Sequence, residues 1–130
     1  MEKNFKILIV DDDADTLTVL SDLLMEHGYD VVTASDGVDG LKTAEVERPN
    51  LALVDTRLPK MDGYEVCRRI KEMKGFDAKV IMFTAYGDAV NVAEARKVGA
   101  DDFLAKTEDF ANMHRAIRKL LDGRLPGLSR

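Results

Sequence analysis

Only one cysteine, Cys67, occurs in the 130 residues. That excludes an internal disulfide framework and fits a reducing compartment. Basic residues do not outnumber acidic ones: 19 Lys and Arg stand against 24 Asp and Glu, a formal net charge of -5. A surface that grips nucleic acid by its phosphates needs a basic excess, so general nucleic-acid binding is excluded, and Arg115, Arg118, Lys119, Arg124 and Arg130 read as a solvated face. No apolar run approaches the ~20 residues that span a bilayer, and the apolar stretch after Lys6 is too short for a secretory signal. These absences lead to the expectation of a cytoplasmic protein that does not contact a membrane. No glycine-rich phosphate loop follows the first apolar run, and no helix-turn-helix pattern closes the chain.

What is present is a globular balance, with 45% hydrophobic and 33% charged residues on a length that suits one domain. Five short apolar runs, at 7–10, 31–34, 51–54, 80–83 and 103–105, do not alternate cleanly with polar residues, so they read as strands covered on both faces of a parallel sheet. Helical patterns lie between them. Leu17, Leu20 and Leu24 mark the first, which Gly28 ends. Val38, Leu41 and Ala44 mark the second, closed by Arg48-Pro49 because a residue before proline resists the helical region. Val66, Ile70 and Met73 mark the third, with Asp62 as N-cap and Gly75 beyond its end. The fourth, about Asp88 to Val98, carries a thin stripe of Ala and Val. Phe110, Met113, Ile117, Leu120 and Leu121 mark the fifth, after an Asp109 cap. Repeated strand-helix units predict an α/β flavodoxin-like (βα)5 sandwich, a five-stranded parallel sheet in order 2-1-3-4-5. The domain is expected over 1–121, and 122–130, "DGRLPGLSR", reads as a C-terminal tail or linker.

In that strand order the carboxyl ends of strands 1 and 3 adjoin at the point where ligands bind. The order brings to one edge Asp11 and Asp12 after strand 1, Asp55 after strand 3, Thr84 after strand 4 and Lys106 after strand 5. Three crowded carboxylates without a metal would leave at least one protonated, whereas Mg²⁺, a hard cation that favours oxygen, takes one or two of them and keeps several waters. A hydroxyl and an ammonium facing that cation suit a phosphoryl group, and Asp55, central among them, suits a nucleophile that forms an aspartyl phosphate. Each residue also has a plainer reading. Helix capping explains Asp13 and Asp15 but leaves Asp11 and Asp12 over; Asp55 could start a turn, Thr84 end a strand, and Lys106 lie exposed. "PKMDG" is a turn signal in which Gly63 supplies flexibility. Met61 and Met73 read as gap-fillers, and His27 and His114, far apart in helical segments, are given no function.

The segments "ILIVDDD", "LALVDTRLPKMDGYEV", "MFTAYGD" and "GADDFLAK", in this order and at this spacing, resemble the receiver domain of bacterial two-component response regulators (CheY-like), from Lys6 to Leu121. The resemblance implies that Asp55 accepts phosphate from a sensor histidine kinase or histidine phosphotransferase. It further implies that Asp11, Asp12 and Asp55 hold Mg²⁺ with the Arg57 backbone carbonyl, and that Lys106 and Thr84 contact the phosphoryl oxygens. Phe103 matches the family's switch aromatic. The protein would then be a signalling phosphoacceptor, catalysing only its own phosphorylation and dephosphorylation, and would switch a surface formed by helix 4, strand 5 and helix 5. The kinase, the stimulus and the downstream target are not named by the residues. Oligomeric state, and the choice between a stand-alone regulator and a receiver excised from an output domain, also stay open.

The chain departs from the family at Lys106-Thr107, where most receivers have proline after the lysine, often cis. A cis bond before a non-proline residue costs ~3 kcal/mol, so trans is expected. Arg57 and Tyr86, two beyond the acceptor and two beyond the threonine, are bulky enough to shield an aspartyl phosphate from water. Their pairing is similar to that in the stand-alone phosphorelay intermediate of sporulating bacteria. Two other classes compete. A haloacid-dehalogenase-like Mg²⁺-dependent phosphatase shares the D-x-D spacing of "DDDAD", but its later acidic pair follows a strand, whereas Asp101 and Asp102 precede one. A flavodoxin-like module for a nucleotide or flavin would place its phosphate against acidic residues.

Overall fold

The computed structural model describes residues 4–85, 92–106 and 109–123. Each apolar run becomes a strand and each periodic stretch a helix: β1 (Lys6–Val10), α1 (Ala14–Glu26), β2 (Asp30–Ala34), α2 (Gly37–Glu47), β3 (Leu51–Asp55), α3 (Gly63–Glu72), β4 (Lys79–Thr84), α4 (Val92–Lys97), β5 (Asp102–Ala105) and α5 (Phe110–Leu121). The strands form one parallel sheet in the order β2-β1-β3-β4-β5. The predicted flavodoxin-like α/β sandwich is therefore the fold. No helix among the described residues is long and apolar enough to cross a membrane.

Alternate strand residues supply two cores. Leu8, Val10, Ala52, Val54, Val80 and Met82 point to the side packed by Ala44 of α2, Val66 and Ile70 of α3 and Ala95 of α4. Ile7, Ile9, Leu51, Leu53, Ile81 and Phe83 point to the side packed by Leu24 of α1 and by Met113 and Ile117 of α5. Because side chains alternate across a strand, a buried strand needs apolar residues at both parities, and the unbroken runs of β1, β3 and β4 meet that need. At the sheet edges both faces are still covered, by Val32, Ala34 and Phe103 on one side and Val31 and Leu104 on the other, but burial is less complete. β2 exposes Asp30 and Thr33, and β5 is only half-buried, since each has a single strand neighbour.

Helix ends follow local chemistry. Asp13, Asp36, Asp62 and Asp109 cap α1, α2, α3 and α5, each side-chain oxygen accepting from a backbone N–H in the first turn. Gly28 takes φ 92 just past α1, as expected. Arg48, driven off the helical region by Pro49, adopts the left-handed conformation with φ 49. Of the predicted fourth helix, Val92–Lys97 is helical and contributes only Ala95 as a fully buried residue. Residues 88–91 lie outside the described residues, as do Tyr86, Thr107 with its bond to Lys106, and residues 124–130 of the tail. Met61 and Met73 pack, partly buried, against the first core. Cys67 is fully buried there, its Sγ–H directed at the Val98 carbonyl 3.7 Å away, and burial pushes its thiol up to about 12.

Two expectations need correction. In "PKMDG" the residue with the unusual backbone is Lys60, at φ 70, and the role of Gly63 is spatial. A Cβ on Gly63 would overlap the Asp55 carbonyl oxygen and come within 2.9 Å of Thr56 Cα, so the missing side chain lets α3 start directly against the end of β3. His27 and His114, distant in sequence, are neighbours in space: their ring centroids are 4.6 Å apart, because α1 and α5 share one face of the sheet. Tyr29 Oη lies 2.9 Å from His114 Nε2, and burial, with the charges of His27 and Arg118, holds His114 below the ordinary histidine value. Gly63→Ala is expected to cost about 3 kcal/mol by overpacking against backbone that cannot yield. Urea unfolding should show this as a lower midpoint, and an unchanged midpoint would contradict the contact.

Candidate functional site

Strand register decides which side chains meet. Val10 pairs with Val54, Asp55 with Phe83 and Thr84 with Ala105, so the residues that close β1, β3 and β4, and the one after β5, arrive at the same carboxyl edge. There the acidic run after β1 divides by direction. Asp13 faces α1, its Oδ1 accepting from the Asp15 amide at 3.1 Å and its Oδ2 from the Thr16 hydroxyl at 2.9 Å; these bonds hold its carboxyl below the usual carboxylate range. Asp11 turns inward and is fully buried, while Asp12 stays exposed.

Asp55 is 5% exposed. Its Oδ1 accepts from the Arg57 amide at 3.1 Å and its Oδ2 from Lys106 Nζ at 2.9 Å. The same ammonium stands 2.8 Å from Asp11 Oδ2, so one positive charge bridges two buried carboxylates on adjacent strands. Burial opposes the ammonium form of Lys106, but its contacts with Asp11 and Asp55 outweigh that penalty and raise its pKa. For Asp11 the balance tips the other way: burial raises its pKa despite the contacts with Lys106 and the Asp13 amide.

Asp11, Asp12 and Asp55 each offer a carboxylate oxygen, and the three oxygens lie within 4.8 Å of one another. Asp11 Oδ2 is buried and makes no hydrogen bond; its 2.8 Å approach to Lys106 is a charge contact without hydrogen-bond alignment. An all-oxygen donor set with one orphaned, desolvated member fits a hard divalent cation, and exposed Asp12 leaves a way in from solvent. Lys106 accounts for the cluster without an ion by supplying part of that positive charge.

The remaining predicted residues occupy different places. Thr84, 3% exposed, ends β4 on the same edge. Phe103 in β5 is half-buried and packs against the core that contains Met82. Arg57, two residues past Asp55, is exposed. One residue escaped the sequence reading: Thr56, 7% exposed, donates from its hydroxyl to that of Thr84 at 3.3 Å. No local spacing announces it, since the contact joins two strand ends 28 positions apart.

Lys106→Met should remove about 2 kcal/mol of stability, below the full cost of breaking a buried pair because the Lys106 side chain is 20% exposed. The raised Lys106 pKa means that its contribution is complete below the ordinary lysine value and is lost as pH rises through the higher folded value. Denaturation of the wild type should therefore show stability falling in the alkaline range. The variant should lack that step and grow more stable from pH 7 toward 5, as buried Asp11, whose pKa burial already raises, takes up a proton. Parallel pH profiles for the two proteins would refute this account.

Comparison with known proteins agrees with the geometry. Residues 7–118 match the family model of the response regulator receiver domain. The alkaline phosphatase synthesis transcriptional regulatory protein PhoP of Bacillus subtilis (strain 168) is 38% identical over 118 residues, 91% of this chain and 49% of that protein. Sporulation initiation phosphotransferase F of the same strain is 36% identical over 118 residues, 91% of this chain and 94% of that protein. The chain thus spans about half the length of the transcriptional regulators it matches and nearly all of the phosphotransferase. The crystal structure of a CheY-like response regulator receiver domain protein from Methanospirillum hungatei JF-1 superposes with a TM-score of 0.84 at 34% identity, covering 92% of this chain and 94% of the other. With fold, register and relatives in agreement, the chain belongs to the response regulator receiver domain family, the signalling modules of two-component phosphorelays.

Proposed function

We propose that this chain is a Mg²⁺-dependent phosphoacceptor of a cytoplasmic phosphorelay, with Asp55 as the residue that takes the phosphoryl group from a sensor histidine kinase or a histidine phosphotransferase. The observation that carries the reading is the Lys106 ammonium shared by buried Asp11 and Asp55. In the transfer an Asp55 carboxylate oxygen bonds to phosphorus as the bond from phosphorus to the donor nitrogen breaks, and the donor imidazole leaves with the electron pair. Lys106, already hydrogen-bonded to Asp55 Oδ2, follows the charge onto a phosphoryl oxygen. The Thr84 hydroxyl donates to another. Asp11, Asp12, Asp55 and the Arg57 carbonyl would hold Mg²⁺, which supplies neutralisation of charge among the acids and the incoming phosphoryl oxygens.

Phosphorylation adds close to two negative charges at Asp55. Thr84 and Lys106 move toward them, and the loop after β4, with α4, shifts in consequence. Ala95 is the only fully buried residue of α4, so its displacement costs little packing. The responding surface is α4, β5 and α5, with Phe103 and Arg115. Arg115 and Arg118 are both exposed, but Arg118 stands with His27, Tyr29 and His114, on the side of α5 toward α1, and so leaves the surface it was expected to join. The downstream partner is either a separate target protein or an output domain. Neither the phosphatase nor the flavin-binding reading has an observation of its own in its favour.

Incubation with acetyl phosphate and Mg²⁺ followed by mass spectrometry should give a single phosphoryl adduct on wild type and none on Asp55→Ala; an adduct on both, or on neither, would overturn the assignment. The same adduct, followed over time, should decay about tenfold faster in Arg57→Ala and Tyr86→Ala if these side chains exclude the attacking water. Unchanged decay would remove them from that role. Amide exchange on beryllofluoride binding should change in α4, β5 and α5, and protection that does not differ there would exclude this output surface.

A further inference from the structure

The Thr56–Thr84 contact has no part in the chemistry above, yet it is built with care. Thr56 is immobilised from both sides of its peptide: its amide donates to the Phe83 carbonyl at 3.1 Å, and its carbonyl accepts from the Gly63 amide at 3.1 Å. It is thereby tied to β4 and to the first residue of α3, and its side chain has a fixed origin. Thr84 is held as well, since its carbonyl accepts from the Lys106 amide. Between these two anchored residues, both buried, the hydroxyls meet at 3.3 Å.

We infer that Thr56 is a positioning residue, a latch whose hydroxyl holds the Thr84 hydroxyl in the resting arrangement and must release it when a phosphoryl group forms on Asp55. The inference rests on the phosphoacceptor reading, and it extends that reading to a residue with no assigned role. Magnitudes decide the direction of the effect. At 3.3 Å the hydroxyl pair is longer than the usual O–H···O separation of about 2.7–2.8 Å, so the bond is weak. A bond from the Thr84 hydroxyl to an ionised phosphoryl oxygen is charge-assisted and roughly twice as strong as a neutral one. Thr84 accepts in the first bond and donates in the second, so what is contested is the position of its side chain; the stronger bond draws it toward the phosphoryl group, while the latch lowers the population of the engaged state before phosphate arrives. On this inference the bond belongs to the resting arrangement alone, so losing it favours the engaged state. A hydroxyl bond at the weak end of its range sets that bias at about two- to fivefold.

Thr56→Val removes the hydroxyl but keeps the branched shape, and Thr56→Ser keeps the hydroxyl; Thr56→Ala serves if the valine variant does not fold. Titration with beryllofluoride in excess Mg²⁺ should show about two- to fivefold tighter binding for Thr56→Val than for wild type, with Thr56→Ser restored toward wild type. In ligand-free, ¹³C-methyl-labelled protein the Thr84 methyl of Thr56→Val should move toward its position in beryllofluoride-saturated wild type. Affinity unchanged or weakened in Thr56→Val, or equal effects of valine and serine accompanied only by lower stability, would overturn the latch. Should wild type bind no beryllofluoride, the phosphoacceptor reading falls. The ligand-free methyl measurement still decides the latch in that case, and Thr84 rotamer populations that are unaltered in Thr56→Val would overturn it.

Discussion

The ammonium of Lys106 between Asp11 and Asp55 is the interaction on which the site depends. Two unit charges 4–5 Å apart repel by about 3–4 kcal/mol at an effective dielectric near 20, and each carboxylate attracts an ammonium at ~2.9 Å by more than that. One lysine thus makes tolerable a pair of buried acids that would otherwise have to bind protons. It does so from the edge of the sheet, by a flexible stem, and its raised pKa keeps it charged throughout the neutral range. The same flexibility lets the charge follow a ligand. A side chain that stabilises the resting cluster is also the group best placed to meet incoming negative charge.

The sheet makes this arrangement possible. β1 has neighbours on both sides, and β3 beside it brings Asp55 level with Asp11 without any long loop. Around this point the backbone is dense. Gly63 begins α3 where no side chain fits, and the Thr56 peptide is bonded on one side to β4 and on the other to α3. The Asp55 carboxylate therefore sits on a rigid base, while Thr84 closes β4 and Lys106 follows β5. A rigid acceptor with movable partners is the division of labour that the proposed switch requires.

Much of this was legible in local sequence because it depends on local forces. Unbroken apolar runs give buried strands, Asp before a periodic stretch gives a cap, and strand-helix repetition gives the parallel order; polar residues immediately after a strand then fall on one edge. The Asp36 cap of α2 has a fainter local signal, since Gly37 and Gly40 weaken the helical pattern it begins. What local sequence does not hold is distance across the fold. The meeting of His27 with His114 follows from α1 and α5 sharing a sheet face, and the meeting of Thr56 with Thr84 from the register of β3 with β4. The two-sided burial read from the runs is only partial at β2 and β5 for the same reason, since edge position is a property of strand order.

Cys67 carries a practical corollary. Its thiol is sealed in the core, and its proton is held far above neutral pH. Since thiolate is the form that reacts with alkylating labels and oxidants, the native cysteine stays silent toward them in the folded protein. A spin label or fluorophore attached at a new cysteine on an exposed helix would then report from that single position, on an otherwise unaltered background.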